Sequence, residues 1–241
     1  MNERKSALLS AIINEHIKSG QAVASKVVVD KYKFPLSTAT IRNEMAELES
    51  DGFITQPHTS AGRIPTEKGW KYYIENFIKD VPIPNEIKNR LDISIGQTGL
   101  SAEMMIKNLA KGLAEISQEA IFVGLGRDNF FYTGLANLFR QPEFQKLDLV
   151  CHLSEVVDHL DVVINLMFDE VIDSDQEKFM VGRENPFDHE CSAIVGRYKA
   201  PGQPPGIFGI LGPMRMNYAQ NLSLIKYVKE IFANNFKQAN G

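Results

Sequence analysis

Cysteine is nearly absent: Cys151 and Cys191 are the only two in 241 residues. Two thiols cannot build a disulfide framework, so a reduced, cytosolic setting is expected. No apolar run approaches the roughly 20 residues that a membrane span needs, and no membrane role is expected. The opening Met1-Asn2-Glu3-Arg4-Lys5-Ser6 leads straight into an amphipathic pattern, so no secretory leader is expected either. Internal repeats and low-complexity tracts are missing. A large charge of one sign is missing too: the net charge is −4, which argues against the whole chain being a general polyanion binder. What remains is ordinary globular composition, 44% hydrophobic and 23% charged, at a length that fits one or two domains.

The charge is uneven along the chain. Residues 1–79 carry 11 Lys/Arg against 9 Asp/Glu, and residues 80–241 carry 15 against 21. A mildly basic head on an acidic body hints at a polyanion partner for the head alone. The break falls at Lys79-Asp80-Val81-Pro82-Ile83-Pro84, where two prolines bar a continuing helix. The expected organisation is a head over 1–80, a linker or helical region over 81–120, and an α+β domain over 121–241.

Leu8, Leu9, Ile12, Ile13 and Ile17 form one apolar stripe of a helix over 3–18, stopped at Gly20. Ser25 is placed to cap a short second helix containing Val27, Val28, Val29 and Tyr32, which Phe34-Pro35-Leu36 ends. Ser37 is placed to cap a third, with Ile41, Met45 and Leu48 as its apolar face and Asp51-Gly52 as its stop. Three short helices with a tight turn before the third match the helix-turn-helix topology, in which the third helix meets base edges. Its first turns carry Ser37, Thr38, Thr40, Arg42 and Asn43. Arg forks onto guanine, Asn onto adenine, and small hydroxyl residues reach phosphates. The same residues would serve equally well as caps and ion-pair partners. The following stretch tips the balance. After a short strand at Phe53-Ile54-Thr55-Gln56, Pro57-His58-Thr59-Ser60-Ala61-Gly62-Arg63-Ile64-Pro65 reads as a polar wing with an arginine at its tip. Thr66 then caps a helix with Trp70, Tyr73, Ile74, Phe77 and Ile78 as its apolar side. The expected DNA-binding set is Ser37, Thr38, Thr40, Arg42 and Asn43 in the major groove. His58, Thr59, Ser60 and Arg63 are expected on the backbone or minor groove, with Lys68 and Lys71 adding phosphate contacts.

The runs Ser37-Thr38-Ala39-Thr40-Ile41-Arg42-Asn43-Glu44-Met45-Ala46-Glu47-Leu48-Glu49 and Pro57 to Thr66 closely resemble the heat-inducible transcription repressor family HrcA. Two later stretches resemble the same family's signatures: Tyr132-Thr133-Gly134-Leu135-Ala136-Asn137-Leu138-Phe139-Arg140-Gln141-Pro142-Glu143-Phe144, and Gly209-Ile210-Leu211-Gly212-Pro213-Met214-Arg215-Met216-Asn217-Tyr218. The resemblance implies a winged helix, a GAF-like domain and a dimerising insertion. It implies a homodimer that represses chaperone operons at an inverted-repeat operator of CIRCE type on double-stranded DNA, is relieved by heat stress, and is kept active by a GroEL-type chaperonin. The chain is shorter than typical members, with the shortfall expected in residues 80–131. The expected fold class is therefore α+β: a winged helix-turn-helix followed by a reduced GAF-like α/β sandwich.

In the body, strands are expected at 121–125, 130–132, 178–182, 192–198 and 206–211, the last two joined through Pro201-Gly202-Gln203-Pro204-Pro205. Helices are expected at 104–116, 135–140, 147–168 and 217–235, and strands before a packing helix suggest two layers. Signs of chemistry are sparse. His152 and His159 lie seven apart, roughly on one helical face, but no compact ligand motif frames them. Cys151 sits among apolar residues, so a buried thiol is expected. Gly124-Leu125-Gly126-Arg127 lacks the third glycine or lysine of a phosphate loop and reads as a strand-end turn. The acidic run Asp169, Glu170, Asp173, Asp175, Glu177 lacks calcium-loop spacing. Neither an enzyme nor a cofactor is expected. Two other readings stay open: a small-molecule sensor, which requires a well-formed pocket within 121–215, and a winged helix that contacts protein, which predicts weak DNA affinity with little salt dependence.

Overall fold

The computed structural model describes all residues except 60, 96–99, 128, 146, 200–203 and 236–241. The chain divides into two compact units, Met1–Lys79 with Arg215–Asn217, and Asp80–Met214 with Tyr218–Gly241.

The first unit is built on three helices whose ends are set by local chemistry. Helix α1 (Glu3–Ser19) starts where Asn2 accepts a hydrogen bond from the Lys5 N–H, and ends at Gly20 in the left-handed region. Its stripe Leu8, Leu9, Ile12 and Ile13 is fully buried. Helix α2 (Ser25–Tyr32) begins one residue earlier than a Ser25 cap requires. Ala24 is its N-cap residue, and no side chain caps it. Lys33 ends α2 in the left-handed region, at φ 51°. Helix α3 (Thr38–Ser50) is capped by Ser37, whose hydroxyl accepts the Thr40 N–H. Ile41, Met45 and Leu48 are buried along it.

Strands β1 (Ile54–Thr55) and β2 (Ile64–Pro65) pair antiparallel, Ile54 opposite Pro65. Thr66 caps α4 (Glu67–Phe77) as expected, accepting from Gly69 N–H while donating to the Gly52 carbonyl. Helix α4 joins α1 through the Tyr73 hydroxyl, which donates to Asn14 Oδ1 at 2.8 Å.

The second unit holds a five-stranded sheet of order β4-β3-β7-β6-β5, antiparallel throughout. Its strands are β3 (Ala120–Gly124), β4 (Phe130–Thr133), β5 (Lys178–Val181), β6 (Cys191–Tyr198) and β7 (Gly206–Pro213). Tyr198 pairs with Gly206, so β6 and β7 form a hairpin whose connecting residues lie mostly outside the described ones. Gly124 ends β3, and the Leu125 N–H closes a turn onto the Asn129 carbonyl. Helices are α5 (Asn85–Ser94), α6 (Ala102–Ser117), α7 (Leu135–Phe139), α8 (Leu147–Asp158), α9 (Leu160–Val171) and α10 (Tyr218–Asn235).

Two expectations are corrected here. The sheet is covered on both faces, so the unit has three layers and not two. Strand alternation divides the residues. On one face Tyr198 meets Phe232 of α10 at 4.5 Å between rings, and Ser192 meets the Tyr218 hydroxyl at 2.7 Å. That hydroxyl also points to the Met214 carbonyl at 2.7 Å, so its one proton is shared between the Ser192 and Met214 oxygens. On the other face Ala193 and Val195 join one core with Ile164, Met167 and Phe168 of α9. The expected single helix over 147–168 is two helices, because the backbone leaves the helical region at His159, φ −114° and ψ 31°. The sequence reading also missed α5. Its charged residues hide a short apolar face on which only Leu91 is buried.

Gly209 of β7 lies beneath the Phe122 ring, and a Cβ there would sit 2.0 Å from it. Gly209→Ala is expected to lower unfolding stability by about 1–3 kcal/mol through overpacking. Phe122→Leu in the same chain should recover part of the loss, as read by urea denaturation.

Candidate nucleic-acid interface

The capped start of α3 and its buried stripe fix which side chains point out. Ser37, Thr40, Arg42 and Asn43 are exposed and Thr38 is half-buried. Ser37 and Thr40 are engaged with each other, their hydroxyls 2.9 Å apart. Arg42 and Asn43 make no hydrogen bond or ion pair with a described residue. On the inner side of the same helix, Glu44 is 4% exposed. Its countercharge is the Arg4 guanidinium, 2.5 Å from Oε1, a contact of charges without hydrogen-bond geometry. Burying a carboxylate without such a partner would be costly.

The polar loop between β1 and β2 is held from outside. Glu49, in the last turn of α3, accepts the Gln56 N–H at Oε1 and the Arg63 Nε–H at Oε2, both at 2.9 Å. The Gln56 side chain donates to the carbonyls of Thr59 and Ala61, also at 2.9 Å. Val23, ahead of α2, pairs with the Arg63 backbone in both directions, at 2.8 and 2.9 Å. The approach requires Gly62, where a Cβ would lie 2.4 Å from Val23 backbone carbon. Arg63 therefore sits at the base of the loop, not at its tip, with a side chain only 17% exposed. His58 and Thr59 are exposed beyond it, and Ser60 lies outside the described residues.

This arrangement brings part of the expected set together. Arg42, Thr59 and Arg63 line one surface pocket of about 360 Å³, with Gln56, Met45 and Ser25. Lys68 and Lys71 of α4 lie on a different depression, beside Phe53 and Tyr72. Their ammonium groups are occupied. Lys68 donates to the Asp51 carbonyl at 2.7 Å and sits over the Phe53 ring, and Lys71 pairs with Glu67 at 2.9 Å. Sequence reasoning missed two contributors. Glu49 and Gln56 hold the loop, and no local signal could have shown it, because their bonds reach across turns.

The candidates considered in the body resolve differently. His152 ends up on α8 and His159 at the start of α9, so they do not share one helix. His152 Nε2 lies 3.3 Å from Asp188. Among the described residues no group of three or more His, Cys, Asp or Glu is placed to hold a metal ion. Cys151 is exposed and Cys191 is the buried thiol, which reverses the expectation for Cys151. On α8 the inward phase is Leu149, Leu153 and Val156, and Cys151 falls between those positions. Burial pushes the Cys191 thiol far up, helped by the carboxylates of Asp188, Glu190 and Glu119. The acidic run is largely paired: Asp169 with Arg127, Glu170 with Lys178, Asp175 with Arg197, and Glu177 with Lys229.

These features define an α+β protein with a small helical head, a pinned polar loop and a three-layer sheet unit. Residues 73–221 match the family described as HrcA protein C terminal domain, and the chain belongs to the HrcA family. A heat-inducible transcription repressor HrcA of Natranaerobius thermophilus is 26% identical, aligned over 95% of each chain. That alignment extends over 331 residues against 241 here, so the relative carries segments this chain lacks. The repressor HrcA of Chlorobium limicola is 38% identical over 61% of this chain and 39% of its own. A crystal structure described only as that of a hypothetical protein has the same fold, with a TM-score of 0.74 over 100% of both chains at 18% identity. No helix among the described residues is long and apolar enough to cross a membrane.

In the native protein one thiol, Cys151, should react with a small disulfide reagent at neutral pH, and the second only after unfolding. Two equally fast thiols in the native state, or none, would contradict this placement of α8.

Proposed function

We propose that this chain is a winged helix-turn-helix repressor of heat-shock genes that binds an inverted-repeat operator on double-stranded DNA as a homodimer. The observation that carries the reading is the pair Arg42 and Asn43. They stand exposed on the first turns of α3, uncommitted to any described residue, beside a loop fixed against the same helix. Helix α2, the turn at Lys33 and helix α3 would then be the helix-turn-helix, with β1, β2 and their loop as the wing. Arg42 and Asn43, with Ser37, Thr38 and Thr40, would face the major groove, and His58, Thr59 and Ser60 the backbone or minor groove. Lys68 and Lys71 would add charge from a separate surface. The relatives' name, heat-inducible transcription repressor, supports the class of target gene. Relief by heat, with a GroEL-type chaperonin restoring the competent state, fits a repressor whose dimer is concentration-dependent.

The body would be the GAF-like domain, a dimer partner more than a ligand sensor. The apolar cavity among Phe122, Tyr132, Leu135, Leu160, Phe187 and Leu211 has a volume of about 10 Å³, room for about one water. Small-molecule sites need roughly 300–1,000 Å³; the depression of about 340 Å³ beside Leu166, Met167 and Met180 reaches that volume but lies open to solvent. Dimerisation through 81–120 is supported by Ile93, Leu100 and Met104, which are exposed there although apolar.

Fluorescence anisotropy on an inverted repeat and on scrambled DNA, across a salt series, tests the DNA reading. The wild type should select the repeat, with affinity falling steeply as salt rises. Arg42→Ala should cost about 1–3 kcal/mol on the repeat and much less on scrambled DNA. Equal, weak binding to both DNAs would overturn the operator reading. Ile93→Asp with Met104→Asp should shift sedimentation from dimer to monomer, and an unchanged dimer would move the interface elsewhere.

A further inference from the structure

We propose that Glu49 is a positioning residue for DNA binding, and that Arg63 serves as its partner and not as a phosphate ligand. The inference rests on the DNA reading above and adds how the two contacting surfaces are held in register.

A carboxylate in this location is otherwise unfavourable. Glu49 lies on the same helix as Arg42 and Asn43, and a negative charge near a duplex repels phosphate. Its two oxygens are spent on two different points of the loop. One receives the Gln56 N–H just after β1, and the other the Arg63 Nε–H just before β2. The loop is thus gripped at both stems by a single side chain in the last turn of α3. Gln56 carries the grip forward by holding the Thr59 and Ala61 carbonyls. Exposed His58 and Thr59 are positioned through this chain of bonds, since β1 and β2 are only two residues each. Arg63 is turned inward by the same bond. Its side chain is 17% exposed and its backbone is locked to Val23.

The clamp and the phosphate-ligand alternative differ in the sign of one effect. If Arg63 only neutralised phosphate, Glu49→Gln would remove a competing negative charge, and DNA affinity would rise or stay level. Under the clamp it falls, because a glutamine side chain offers one acceptor oxygen and its amide nitrogen faces the Arg63 donor. The experiment compares wild type, Glu49→Gln, Arg63→Gln and the double variant by anisotropy on the inverted repeat over a salt series. Thermal melting confirms that each is folded. Each single variant is expected to lose about tenfold in affinity, as for a lost charge-assisted hydrogen bond. The double variant should lose little more than either single one. The slope of log affinity against log salt should stay at the wild-type value. A slope reduced by about 0.9 in Arg63→Gln, with unchanged or tighter binding by Glu49→Gln, would overturn the proposal and make Arg63 a phosphate contact.

Amide hydrogen exchange at Gln56 in the free protein separates the two levels of the argument. It should accelerate in Glu49→Gln without any DNA present, and an unchanged rate would overturn the clamp itself. A wild type that fails to select the repeat, with Gln56 exchange still dependent on Glu49, would overturn the DNA reading and leave the clamp as a structural bond.

Discussion

The head depends on hydrogen bonds that reach its loop from outside. Helix α3 is secured twice over, by the Ser37 cap and by a buried stripe, so its outward face is rigid in the ordinary way. The loop has no such means. Its residues are small and polar, its strands are two residues long, and it has no apolar content with which to form a core of its own. Without Glu49 on one side and Val23 on the other, the spacing between the helix and the loop would be set by chain entropy. With them, one side chain and one backbone bridge set it, and Gly62 is the residue that lets the bridge close.

The body is governed by a different constraint, close packing on both faces of one sheet. Gly209 gives way to the Phe122 ring, and Gly196 lets Ile225 of α10 approach β6. Such packing leaves little interior space, and the hollow near Leu166 and Met180 is an open surface depression, not a chamber.

Much of this was legible where the chemistry is local. Ser37 and Thr66 could be named as caps because a cap is read within three residues, and the strands of the body declared themselves by β-branched and aromatic runs. The failures share a cause. Helix α5 turns only a narrow face inward, so its charged residues and the flanking prolines mask its period. Cys151 has apolar neighbours in sequence, but burial on a helix follows angular phase, not proximity along the chain. Both faces of the sheet are covered, a fact that alternation within single strands does not announce when both sides are apolar. In the site, Arg42 and Asn43 stand where residue type and helical phase placed them. Arg63, by contrast, has its partner 14 positions away in α3, and a basic residue in a polar loop reads as free until that partner is seen. Lys68 and Lys71 likewise have partners that residue type does not announce, since their acceptors are fixed by how α4 returns to α3 and by their own helix.

The paired acidic run at the end of α9 alters the field around the body. Asp169, Glu170, Asp175 and Glu177 each face a cation drawn from a different element, and the Arg197 guanidinium donating to Asp175 holds that carboxyl below the usual carboxylate range. At a distance such pairs act as short dipoles, and their potential decays far faster than that of isolated charges. The densest acidic stretch in the sequence is thereby made nearly silent to an approaching polyanion.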